Sequence, residues 1–141
     1  MQAQITCYTH CVMNNKTVKI TKPNDRREEL SSGQMSRFEG VSKLLSNAEG
    51  IHLAIATILP KQQSSPHHHV NCESAIYVLS GTGIFLSGNN LEESAEINPG
   101  DFIYIPPGAV HAPINSGETI LELIVARNSD VEIVKEWSGG S

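Results

Sequence analysis

Cysteine is scarce in this chain, three residues among 141, at Cys7, Cys11 and Cys72. So few, and an odd number, cannot form a disulfide scaffold, and the count suits a reducing compartment. Cys7 and Cys11 flank His10 in CYTHC, but structural zinc takes four protein ligands with a second pair further along, and no second pair follows. That segment is therefore read as an extension without a metal. Positive charge is also in deficit: 10 Lys and Arg face 15 Asp and Glu, a formal net charge of -5. No basic surface is available to displace counterions from a phosphate backbone, so nucleic acid is excluded as a partner and a small-molecule ligand is expected. Long hydrophobic runs are missing. The longest, IHLAIATIL and LELIVA, fall far short of the roughly 20 residues that cross a bilayer, and no charged-then-apolar leader opens the sequence. No membrane partner is expected, and the expected location is cytoplasmic.

Helical periodicity is nearly absent as well, the one candidate being residues 40–47. What is present from Gly50 onward is a series of short apolar runs, IHLAIATIL, AIYVLSG, GIFLSG, DFIYIPPG and ILELIVARN, separated by SGTG, SGNN, NPGD, PPG and NSGE. Runs of that length between residues that pre-set turns or tolerate positive φ predict an all-β sandwich or barrel. The length allows one domain. The expected division is a partly disordered N-terminal arm at residues 1–33 with one edge strand over Thr17–Thr21, a β-barrel domain over 34–135, and a flexible tail at 136–141.

Chemistry concentrates in two stretches. In SPHHHVNCESAIYVLSG, alternation along a strand puts His67 and His69 on one face and turns His68 to the other, toward solvent. Glu73 follows four residues after His69 and can return around a turn. In PPGAVHAPIN, His111 offers a further imidazole. Imidazoles with one carboxylate suit Fe, Mn, Ni, Cu, Co or Zn, and such a set leaves positions open for substrate or oxygen.

These residues resemble the cupin superfamily. Its second motif, G-x5-P-x-G-x2-H-x3-N, is matched at each fixed position by Gly100, Pro106, Gly108, His111 and Asn115. Its first, G-x5-H-x-H-x3,4-E-x6-G, is matched by His67, His69, Glu73 and Gly81 with two departures. Lys61 stands where the leading glycine belongs, and seven residues rather than six separate Glu73 from Gly81. If Gly81 sets the register, Ser74 takes the glutamate's place; if His69 does, Glu73 keeps it, with a bulge or turn to aim it inward. A carboxylate coordinates a divalent ion far better than a hydroxyl, so Glu73 is the expected ligand.

The resemblance implies a jelly-roll β-barrel holding one divalent transition metal per chain on His67, His69, Glu73 and His111. It also implies a homodimer formed at a barrel edge, with the arm crossing to the partner. His52, Tyr77 and Tyr104 are candidates to line the cavity and act on substrate, and Arg37 is a candidate to hold a carboxylate at the barrel mouth. Cys72 is expected to face away from Glu73. The implied function is a metalloenzyme acting on a small oxygen-containing molecule, with dioxygenase chemistry favoured. The alternatives are a non-catalytic small-molecule or metal-sensing module, or a metal-independent sugar isomerase or epimerase.

Overall fold

The computed structural model describes residues 16–139, so Cys7, His10 and Cys11 lie outside it. Eleven strands occur among the described residues: β1 Arg27–Glu29, β2 Ser36–Val41, β3 His52–Ile58, β4 His67–His69, β5 Ser74–Ser80, β6 Gly83–Ser87, β7 Glu93–Ile97, β8 Phe102–Ile105, β9 His111–Ile114, β10 Leu121–Arg127 and β11 Val134–Glu136. They form two antiparallel sheets, in the orders β1-β2-β3-β10-β5-β8 and β11-β4-β9-β6-β7. A single helical turn, α1 Lys43–Ser46, fills the stretch that the sequence pattern marked as helical. Ser42 caps it by accepting from the Leu45 amide at 3.2 Å, and Asn47 ends it in a left-handed conformation. No described helix is long and apolar enough to cross a membrane.

Alternation explains the long strands. On β3, His52, Ala54, Ala56 and Ile58 turn into the space between the sheets. On β10, Leu121 and Leu123 do the same, meeting Val78 of β5 and Phe85 of β6 in one core. Removing a side chain as fully buried as Leu123 costs about 2–5 kcal/mol, because a cavity adds to the lost transfer energy.

Turn geometry explains the motif glycines. Gly81 has φ +80, and a Cβ there would stand 2.3 Å from the Ile120 carbonyl oxygen, so both conformation and space require glycine. Lys61, in the place of the leading glycine, adopts φ 64 all the same. Its amide donates to the Asn115 carbonyl at 3.0 Å, and its ammonium donates to the Ser116 carbonyl at 2.9 Å, both of which hold it there.

The arm differs from expectation. Residues 17–21 form no strand, and the edge strand lies instead at Arg27–Glu29, paired with β2. The physical reason is charge: Glu29 turns inward and meets Arg37 and His52, whereas the 17–21 segment anchors itself only through the Thr21 hydroxyl on the Gly40 carbonyl.

Candidate metal centre

Three strand positions bring three imidazoles together. His67 and His69 occupy alternate positions of β4, both buried, and the half-buried His68 lies between them. His111 opens β9 directly opposite His67 in the ladder. The loop before it is tied down by the Gly108 amide, which donates to the His69 carbonyl at 2.7 Å with Gly108 at φ +82. Candidate donor atoms of His67, His69 and His111 all lie within 4.8 Å of one another.

The hydrogen bonds set which nitrogen of each ring faces inward. His67 Nδ1 lies 2.7 Å from the Ser65 carbonyl, and His111 Nδ1 lies 2.9 Å from the Ala109 carbonyl. A carbonyl only accepts, so both Nδ1 atoms carry the proton and both Nε2 lone pairs are free for a cation. His67 Nε2 and His69 Nε2 stand 3.1 Å apart. Two nitrogens about 2.1 Å from a shared ion, at right angles to each other, are separated by about 3 Å, so the spacing fits joint coordination. Burial holds the pKa of His69 and of His111 down to about 4. Both rings are therefore neutral at physiological pH, as ligation requires. The donor set fits a divalent transition ion.

Beside the rings is a small, partly open cavity of about 30 Å³, lined in part by Ser74, Ile105 and Arg37. That volume holds a water or two.

Glu73 is not in this cluster, which corrects the expected ligand set. β5 begins at Ser74, whose side chain is buried and faces the cavity; Glu73, one residue earlier, projects to solvent. Its carboxylate accepts from the Tyr104 hydroxyl at 2.9 Å, and its amide donates to Asn128 Oδ1 at 3.1 Å. The pairing of β5 with β10 is regular from Ser74 to Val78 and shifts only at Leu79, so the alternation of buried Ser74, Ile76 and Val78 decides the face. Cys72, on the same parity as Ser74, turns inward, its Sγ 3.9 Å from His69 Nδ1, and burial raises its pKa.

The other candidates are placed elsewhere. Tyr77 packs its ring on Phe102 at 4.9 Å, away from the imidazoles. Tyr104 is 65% exposed and lines the rim of a separate groove that reaches His111 from outside. His52 is buried between two carboxylates, its Nε2 2.9 Å from Glu29 and 3.2 Å from Glu39. Arg37 does line the histidine cavity, but its guanidinium is committed to Glu29 at 3.0 Å and Glu132 at 3.2 Å.

Glu132 was not legible in the sequence. It is buried, with a carboxylate oxygen 3.7 Å from His69 Nδ1, and it also pairs with Arg127. Burial alone would raise its pKa, but Arg37, His69 and Arg127 together hold it below the ordinary value. It is the carboxylate placed to orient His69. It lies seventeen residues beyond Asn115, the last position of the second motif, in NSDVEIV, with no spacing that links it to the histidines.

Residues 54–127 match the cupin domain family. The protein is a cupin. An uncharacterized protein of Methanocaldococcus jannaschii is 33% identical to this cupin over 105 residues, 74% of either chain. Germin-like protein subfamily T member 3 of Arabidopsis thaliana is 33% identical over 87 residues, 60% of this chain. The chain spans only 38% of that plant protein's length. Among solved structures, the polyketide cyclase RemF of Streptomyces resistomycificus superposes with a TM-score of 0.71 at 20% identity, over 85% of each chain, a likeness of fold.

Proposed function

We propose that this cupin is a metal-dependent enzyme in which His67, His69 and His111 hold one divalent transition ion and an oxygen-bearing small molecule is its substrate. The observation that supports this most directly is the pair of Nδ1–H groups held by the Ser65 and Ala109 carbonyls, which leaves Nε2 of both rings free for a shared cation. A bound ion there would supply a Lewis acid that polarises a substrate oxygen. The chain's own residues fix the imidazoles and keep them neutral, while the Ser74 hydroxyl faces the cavity where other cupins carry a glutamate.

Without a carboxylate among the ligands, the ion keeps its full charge. A three-histidine set is the donor set of catalytic zinc in hydration chemistry, whereas the facial set of oxygen-activating iron includes a carboxylate. The donor set therefore favours Lewis-acid chemistry over the dioxygenase reading. Metal-free acid-base isomerisation is disfavoured because Tyr77 packs on Phe102 and His52 is held between Glu29 and Glu39, both away from the histidine cavity.

The test is elemental analysis of tag-free protein after loading with Fe(II), Mn(II), Ni(II), Cu(II) or Zn(II), with oxygen uptake followed in the iron-loaded sample. Near-stoichiometric metal that His111→Ala abolishes supports the proposal. Metal content that never rises above trace with any of the five ions rejects it. Substrate-dependent oxygen uptake would return the chemistry to the dioxygenase class.

A further inference from the structure

The cavity beside the imidazoles holds only about 30 Å³, and a second, larger space reaches the same histidine. Strands β7 and β8 are the free edges of the two sheets, joined by the turn at residues 98–101. Between them the sandwich is open, and a groove of about 380 Å³ runs inward. That volume lies in the range of small-molecule sites, which are mostly apolar clefts with few polar groups. Its inner end is bounded by His111 and Ile105, the two residues that also wall the histidine cavity.

The lining states what the groove accepts. Phe85, Ala95, Ile97, Ile103, Ile105 and Val110 provide an apolar interior, and the Phe85 ring lies parallel to His111, 4° between planes at 5.7 Å. Flat surfaces of this kind suit a flat ligand. Polar side chains occur as Ser87, Glu93 and Tyr104. No lysine or arginine lines the groove, and its single charged side chain is the acid Glu93. An anion entering here would lose hydration without gaining a counter-charge and would be repelled by Glu93.

We propose that the groove between β7 and β8 is the substrate site, and that it takes an uncharged, planar aromatic molecule bearing a hydroxyl or keto oxygen, seated against the Phe85 and His111 rings. Small dicarboxylates and phosphorylated sugars are excluded by the same lining. The chemistry rests on the metal reading above; the binding does not, since the groove is formed by protein atoms alone.

The test is calorimetric titration of 1-naphthol into metal-loaded and metal-stripped protein, with oxalate and glucose 6-phosphate as anionic competitors. The expected result is saturable 1-naphthol binding to both forms, no competition by either anion, and at least tenfold weaker binding to Ala95→Trp, which fills the groove from an exposed edge position and leaves metal content unchanged. As a second variant, Glu93→Lys is expected to shift preference at least fivefold from 1-naphthol toward 1-naphthoate. The proposal is overturned if 1-naphthol fails to bind, if Ala95→Trp binds it as well as the parent protein, if either anion displaces it, or if Glu93→Lys leaves the preference unchanged. Naphthol binding by a protein that takes up no metal would remove the metal reading and leave the groove; metal uptake without naphthol binding would do the reverse.

Discussion

Among the described residues, two clusters meet the same geometric condition for holding a cation, and only one of them has the chemistry for it. His67, His69 and His111 lie with donor atoms within 4.8 Å of one another, and so do Glu29, Glu39 and His52. The second set has two carboxylates, the stronger attraction for a divalent ion in isolation. Its charge is already spent. Arg27 pairs with Glu39, Arg37 and Arg127 pair with Glu29, and His52 bridges both acids, so three arginines face the three acids Glu29, Glu39 and Glu132. An ion entering there would displace cations that are covalently part of the fold. In the histidine cluster the Nδ1 protons of His67 and His111 are engaged outward and the Nε2 lone pairs remain inward. Proximity of ligand atoms is thus a poor guide until each lone pair has been traced to its partner.

The sharpest way to break this contrast is to remove one member from each cluster. His111→Ala should reduce metal content from stoichiometric to near zero by elemental analysis. Arg127→Ala should leave metal content nearly intact but cost about 1.5–3 kcal/mol in urea unfolding, because Glu29 and Glu132 each lose one charged partner while Arg37 still pairs with both. Equal metal loss in both variants would mean that the clusters act as one site.

Acid should separate them next. In metal-free protein, His69 and His111 titrate near 4 in the fold against an ordinary 6.5, so the unfolded chain binds more protons between those values and stability falls as pH drops from 6.5 to 4. Glu29 is held at about 2 against an ordinary 4.5; burial works against this, but the His52 hydrogen bond and the Arg37 and Arg127 charges outweigh it. Its contribution is present above pH 4.5 and lost as pH falls from 4.5 to 2. Each group accounts for a loss on the order of 3 kcal/mol. Unfolding midpoints recorded from pH 7 to 2.5 should show two successive declines, the lower one smaller in Glu29→Gln, where Glu132, also held below its ordinary value, still contributes. A single decline confined below pH 4.5 in the parent protein would contradict the neutral, buried state of the imidazoles.

A smaller effect distinguishes positions 73 and 74. Ser74→Glu should tighten Mn(II) or Fe(II) binding about tenfold by adding a carboxylate at the inward position. Glu73→Gln should leave metal affinity unchanged and cost no more than about 1 kcal/mol through its exposed contact with Tyr104. Loss of metal from Glu73→Gln would restore the ligand set first expected.

These cases also mark what the sequence made legible. β3, β5 and β10 could be read because alternate positions such as Ala54, Ala56 and Ile58 face a core, and His111 because its motif fixes a loop whose glycine has positive φ. Asn115 explains its own place in that motif: its buried amide donates to the Ile58 and Thr119 carbonyls at 2.8 Å and accepts from Gly117, a brace for the chain after β9. β7, ESAEI, left little trace because only Ile97 of its five residues is buried. Position 73 misled for a different reason. Carboxylate chemistry argued for it and the motif spacing to Gly81 argued for Ser74; packing favours Ser74, which alternates with buried Ile76 and Val78, and a one-residue slip would expose those two as well. Glu29 and Glu132 were out of reach, because the contacts that bury them span as many as 98 residues of chain and follow no local period.

Arg37 has a consequence for anyone trimming this protein. It lines the histidine cavity, yet Glu29 on the first strand is one of the two acids that neutralise it. Cutting the polypeptide between residues 29 and 37 would leave Glu132 as the only one of those two acids still covalently tied to the barrel, and the guanidinium lining the cavity, less fully balanced, would oppose an incoming ion that it never touches.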